Sequence, residues 1–133
     1  MNARTALGAY KATKTSTVID DASPHQLITM LIDGALERVS TAGGAMGRGE
    51  LASCGESIGK AISIVDSLRV SLDQEKGGQI AQNLASLYEY MTRRLLEANA
   101  TKDRAMLAEV AVLLKEIKAA WDQVPADLHH ASA

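Results

Sequence analysis

The side chains able to do chemistry in this sequence are few and poorly placed for it. Histidine occurs three times, as His25 beside Pro24 and as the pair His129-His130. A carboxylate-bridged metal bundle needs inward glutamates and Glu-x-x-His pairs on facing helices, and no Glu-x-x-His occurs. A phosphotransfer bundle needs an exposed histidine in mid-helix, whereas His25 falls in the first turn after a proline. His129 and His130 read as solvated tail residues. Cys54, the single cysteine, shares a stripe with Leu51 and Ile58. It has no histidine near it in sequence to activate it, so it reads as a small core residue. The glycine-rich run GGAMGRG at 43–49 lacks the Gly-Lys-Ser/Thr ending of a phosphate loop, and no strand precedes it. Asp20-Asp21 and Asp33 carry oxygens that suit a metal, but acids near a helix N-terminus more simply serve the helix dipole. No catalytic residue, metal or cofactor is expected, which leaves apolar surface as the chain's functional material.

The elements that must position that surface are helical. Leu68 to Met91 reads as a hairpin: Ile58, Ile62, Val65, Leu68 and Leu72 share one face of a left arm. Ile80, Leu84, Leu87, Tyr88, Met91 and Leu95 share one face of a right arm, and Gly77-Gly78 between them reads as the helix stop. Upstream, Ser23-Pro24-His25-Gln26 is a helix start, with Ser23 as N-cap, Pro24 in the first turn and Gln26 closing a capping box. Four helices are predicted: Ser23 to about Ala42, Glu50 or Leu51 to Lys76, Gln79 to Ala98, and Thr101 or Asp103 to Val124, where Pro125 stops the chain. Gly43–Gly49 is expected to be a flexible loop, Asn99-Ala100-Thr101 a tight turn, and Arg69 and Asp73 an i,i+4 pair. Short connections and comparable lengths make this an all-α chain, an antiparallel up-down four-helix bundle. Residues 1–22 form a short N-terminal helical segment with a linker, 23–124 the bundle, and 125–133 a tail.

Composition narrows the function. The chain has 133 residues, 47% of them hydrophobic, with no Phe, one Trp and three Tyr, so an aliphatic helical core is expected. A net charge of −2 without blocks of like charge points away from nucleic acid. No apolar run reaches the roughly 20 residues that span a bilayer, and no secretory signal is apparent; with a single cysteine, a cytoplasmic setting is expected. Leu7 and Tyr10 lie on one side of an N-terminal segment too short to be stable unless it docks. They either pack permanently on the bundle or cover a groove that another helix competes for. Tyr88 and Tyr90 point to different sides of their helix, one toward the core and one toward the surface.

The order of motifs resembles that of the FliS family of flagellar secretion chaperones. The residues that carry the likeness are Ala9-Tyr10, Ser23-Pro24, Asp33-Gly34-Ala35-Leu36, Leu68-Arg69, Gly77-Gly78, Asn83-Leu84, Leu87-Tyr88, Tyr90-Met91, Ala98-Asn99 and Ala120-Trp121. They run from about Ala6 to Val124; Ile32 departs from the family's usual Tyr. The resemblance implies a non-enzymatic bundle that uses no nucleotide. It would bind the C-terminal segment of flagellin, disordered when free, and present it to the flagellar type III export gate before it can polymerise. It also implies that the segment carrying Leu7 and Tyr10 lies over an apolar groove and moves when flagellin arrives. The expected lid and binding residues are Leu7, Tyr10, Ile80, Leu84, Leu87, Tyr88 and Met91. A homodimer that uses the same apolar surface is the alternative.

Overall fold

A computed structural model describes residues 22–123 as four α-helices: α1 (Pro24–Gly47), α2 (Leu51–Val70), α3 (Gln74–Thr101) and α4 (Arg104–Asp122). Helix α1 packs on α2 and α4, and α3 packs on α2 and α4, closing a square bundle. The expected N-terminal helical segment and the tail lie outside the described residues.

The start of α1 follows from local chemistry. Ser23 Oγ accepts the Gln26 N–H at 3.1 Å while the Ser23 N–H donates to Gln26 Oε1 at 2.8 Å, with Pro24 in the first turn. Two backbone donors that a helix start leaves open are thereby satisfied. The same end is tied to α4. The Trp121 Nε1–H donates to the His25 carbonyl at 3.1 Å, His25 Nε2 donates to the Trp121 carbonyl at 3.0 Å, and the two rings stack 4.9 Å apart. Lower down, Lys118 and Asp33 pair at 2.8 Å between the same two helices.

Three boundaries differ from expectation. The glycine-rich run is not a flexible loop: α1 continues to Gly47, because Ala42, Ala45 and Met46 are buried and hold those turns against the core. The connection shrinks to Arg48, Gly49 and Glu50, with Gly49 at φ +76° and Arg48 Nε 2.6 Å from Glu50 Oε1. Second, α2 ends at Val70 rather than Lys76, and Gly77-Gly78 is not its stop. Asp73 takes the N-cap of α3 and accepts the Lys76 N–H at 3.1 Å, so the new helix starts ahead of the glycines. The pair falls inside the first turns of α3, where Gly78 at φ 50°, ψ −127° makes a kink. Arg69 pairs with Asp66 at 2.9 Å instead of Asp73. Third, Asn99-Ala100-Thr101 is the last turn of α3, and the chain turns at Lys102 in the left-handed region (φ 55°) before Asp103 caps α4 through the Ala105 N–H at 2.9 Å.

The core contains Leu31, Ile32, Ile58, Val65, Leu68, Met91, Leu95, Val110 and Leu114. Ile32, at the position where the sequence departs from the resembled pattern, is fully buried, and so is Cys54. Burial is uneven. Helices α1 and α2 bury nine and eight residues; α3, the longest helix, buries five and α4 three. The first hairpin is thus the better sealed half, and apolar side chains of the second remain half-buried.

Candidate functional site

The seam between α3 and α4 is where the bundle is least sealed. One end is closed by a polar clasp. The Tyr90 hydroxyl donates to Glu109 Oε2 at 2.6 Å, and Arg94 Nε donates to Glu109 Oε1 at 2.7 Å. Arg94 also reaches Glu97 at 3.3 Å, and the Arg93 and Arg94 guanidiniums each lie 5.9 Å from the Tyr90 ring centre. The hydrogen bond to Glu109 raises the Tyr90 pKa above its usual range. The bonds from Tyr90 and Arg94 hold the Glu109 carboxyl below the usual carboxylate value. The clasp is charge-assisted and directional, so it fixes how the two helices align.

That alignment builds the rest of the seam. With Tyr90 and Arg94 on Glu109, antiparallel helices bring Leu87 level with Leu113, Leu84 level with Ile117, and Ile80 level with the Ala120-Trp121 turn. Leu84, Leu87, Leu113, Ile117 and Trp121 are all half-buried against the core, and Ile80 is 72% exposed. This half-buried apolar seam, termed the trough, runs toward the start of α3, just beyond the Gly78 kink. Tyr88 and Met91, on the same helix, are buried; burial pushes the Tyr88 hydroxyl up to about 12.

The stripe predicted on the right arm therefore divides. Tyr88 and Met91 are core, Leu84 and Leu87 are trough walls, and Ile80 is at the open mouth. Tyr90 is the surface member of the tyrosine pair, as its spacing from Tyr88 implies. Leu7 and Tyr10 lie outside the described residues. Sequence reasoning missed the Tyr90–Glu109–Arg94 clasp, since its partners are 15 and 19 residues apart and no helical spacing relates them. Leu113 and Ile117 of α4 were not assigned to a site either, although their four-residue step is visible in the sequence.

Chemically the trough suits binding. Covering Ile80 alone is worth about 1–2 kcal/mol, the exposed share of a full isoleucine burial. Among the described residues no group of three or more His, Cys, Asp or Glu is gathered to hold a metal, and no helix is long and apolar enough to cross a membrane.

The family model described as "Flagellar protein FliS" matches residues 6–128. Flagellar secretion chaperone FliSB of Pseudomonas aeruginosa is 46% identical over 124 residues, covering 93% of this chain and 98% of the relative. Flagellar secretion chaperone FliS of Vibrio cholerae is 42% identical over 130 residues, 98% of this chain and 96% of its own. The protein of the same name from Salmonella typhimurium is 46% identical over 117 residues, 87% of each chain.

Proposed function

The chain belongs to the FliS family of flagellar proteins, and from that premise we propose that it is the export chaperone of a flagellin, acting without catalysis in the cytoplasm. The client is the C-terminal segment of flagellin, which orders into helix as it wraps the bundle. One turn of that helix lies in the α3–α4 trough against Ile80, Leu84 and Leu87. Binding keeps the segment from polymerising, and the complex delivers it to the flagellar export gate.

The observation that carries this reading is the trough itself: an aliphatic seam, half-buried along its walls, with a highly exposed isoleucine at its mouth. Helix-in-groove recognition uses such a surface, with anchors at three- and four-residue steps. A disordered client gives up about 2–5 kcal/mol or more on ordering, so one trough is too little and the contact must continue over other faces. Leu7 and Tyr10 are assigned to a segment that competes for or joins the client contact.

Calorimetric titration with a synthetic flagellin C-terminal segment tests the proposal, with light scattering on the same samples. One-to-one uptake together with delayed flagellin polymerisation is the expected result. Tyr10→Ala weakens uptake if Tyr10 touches the client and tightens it if Tyr10 only competes; no change removes Tyr10 from the site. A stable homodimer that ignores the segment would refute the chaperone reading and leave the self-association alternative.

A further inference from the structure

A second groove lies on the other side of α4, against α1. It has a volume of about 810 Å³ and an apolar floor formed by Leu36 and Val39 of α1 and Leu107 and Ala111 of α4. Its α4 rim carries two cations, Arg104 and Lys115, both exposed. Neither has an acidic partner among the described residues, in contrast to Lys60, Arg69 and Lys118, which do. Arg104 lies across the last turn of α1, where a Cβ on Gly47 would sit 2.8 Å from its guanidinium, so it faces carbonyl ends rather than a carboxylate. Among the described residues, Glu37 is the one acid in the lining.

Gly43 supplies an independent observation. It lines the groove from the middle of a helical turn, half-buried, and a Cβ built there meets nothing within 4 Å. Glycine inside a helix costs about 1 kcal/mol relative to Ala, and no neighbour among the described residues requires it. The space it leaves fits the close approach of an incoming helix backbone.

Arg104 and Lys115 are eleven residues apart on α4, about 16 Å and three full turns, so they point to the same side. We propose that the α1–α4 groove docks an acidic amphipathic helix from a protein partner. Its apolar face lies on Leu36, Val39, Leu107 and Ala111, its backbone passes over Gly43, and two carboxylates three turns apart meet Arg104 and Lys115. The site is separate from the α3–α4 trough and does not depend on what fills that trough.

The test uses the full chain and two labelled synthetic peptides of about five turns, each with a leucine and alanine face. One carries glutamates three turns apart, the other lysines at the same places. Fluorescence anisotropy is expected to show binding of the glutamate peptide, weakened at least tenfold by Arg104→Glu with Lys115→Glu, and weakened by added salt. The lysine peptide should bind poorly to the wild type and better to the double reversal. Gly43→Leu should block the glutamate peptide while leaving the melting temperature no lower, which keeps the test standing if a charge reversal misfolds. Ile80→Ser, in the trough, should leave glutamate-peptide affinity unchanged, and Gly43→Leu should leave a trough-bound flagellin turn in place. Equal binding of both peptides, or a double reversal within twofold of wild type, overturns the proposal. A wild-type dimer that Gly43→Leu dissolves also overturns it, in favour of a second copy of this chain.

Discussion

Replacing Ile80 by serine separates a binding surface from a folding surface on one helix stripe. Ile80 is 72% exposed in the free protein, so removing it costs the folded state little, and Ser and Ile have similar helix propensity. A client that covers it loses about 1–2 kcal/mol, since full burial of an isoleucine is worth roughly 1.5–3. That corresponds to an affinity about 5- to 30-fold weaker. Met91, three turns along the same stripe, is fully buried, and Met91→Ala should lower unfolding free energy by about 2–5 kcal/mol. The assay pairs calorimetric titration of the flagellin C-terminal segment with urea unfolding for each variant. The expected pattern is a lost affinity with unchanged stability for Ile80→Ser, and a lost stability for Met91→Ala. If Ile80→Ser binds within twofold of wild type while remaining folded, the trough mouth is not a contact and the assignment of the stripe fails.

Acid should loosen the clasp across the α3–α4 seam. Glu109 has a lowered pKa in the folded state, so its contribution is present above the ordinary carboxylate value of 4.5 and fades as pH falls through that value to the lower folded one. Glu109→Gln should remove this part of the acid dependence, read as urea midpoints between pH 7 and pH 3. Alkali acts on the core: Tyr88 is raised to about 12 from 10.0, so its stability contribution is intact below pH 10 and lost between pH 10 and 12. Tyr88→Phe should flatten that limb, and absorbance at 295 nm should show one tyrosine titrating last, together with unfolding. Two glycines should respond in opposite directions by thermal melting. Gly43→Ala meets open space and should gain about 1 kcal/mol, whereas a Cβ at Gly77 would sit 2.7 Å from that of Ala81 and should destabilise.

What the sequence made legible was local. The capping box at Ser23 and Gln26 closes within four residues, so its donors and acceptors are specified wherever α1 packs. Stripes at three- and four-residue steps identified Val65, Leu68 and Leu95 as inward, and all three are buried. The boundaries failed where two local signals compete. Gly77-Gly78 looks like a stop, but Asp73 offers a side-chain acceptor to the Lys76 N–H three residues on, and a satisfied N-cap outweighs the conformational freedom of glycine. At the end of α1 the glycines Gly43, Gly44 and Gly47 signal a loop, yet Ala45 and Met46 are buried, and tertiary contact overrides propensity. The site was half legible for a related reason. Ile80, Leu84, Leu87, Tyr88 and Met91 share one periodicity, and only the position of α4, fixed by Glu109, decides which of them it covers.

The uneven distribution of burial connects the fold to the proposed role. A protein that must hold a greasy client while staying folded cannot use one set of side chains for both tasks. Here α1 and α2 bury seventeen residues between them, enough for the first hairpin to carry most of the core. Helices α3 and α4, somewhat longer in total, bury eight. Their alignment depends less on apolar packing and more on the Tyr90–Glu109–Arg94 clasp, whose hydrogen bonds set register without filling the seam with side chains. Polar fixation at one end therefore lets Leu84, Leu87, Leu113 and Ile117 remain half-buried at the other without the helices sliding together to seal them. A tighter seam, with an aliphatic pair in place of Tyr90 and Glu109, would favour the empty bundle and close the surface that the client needs.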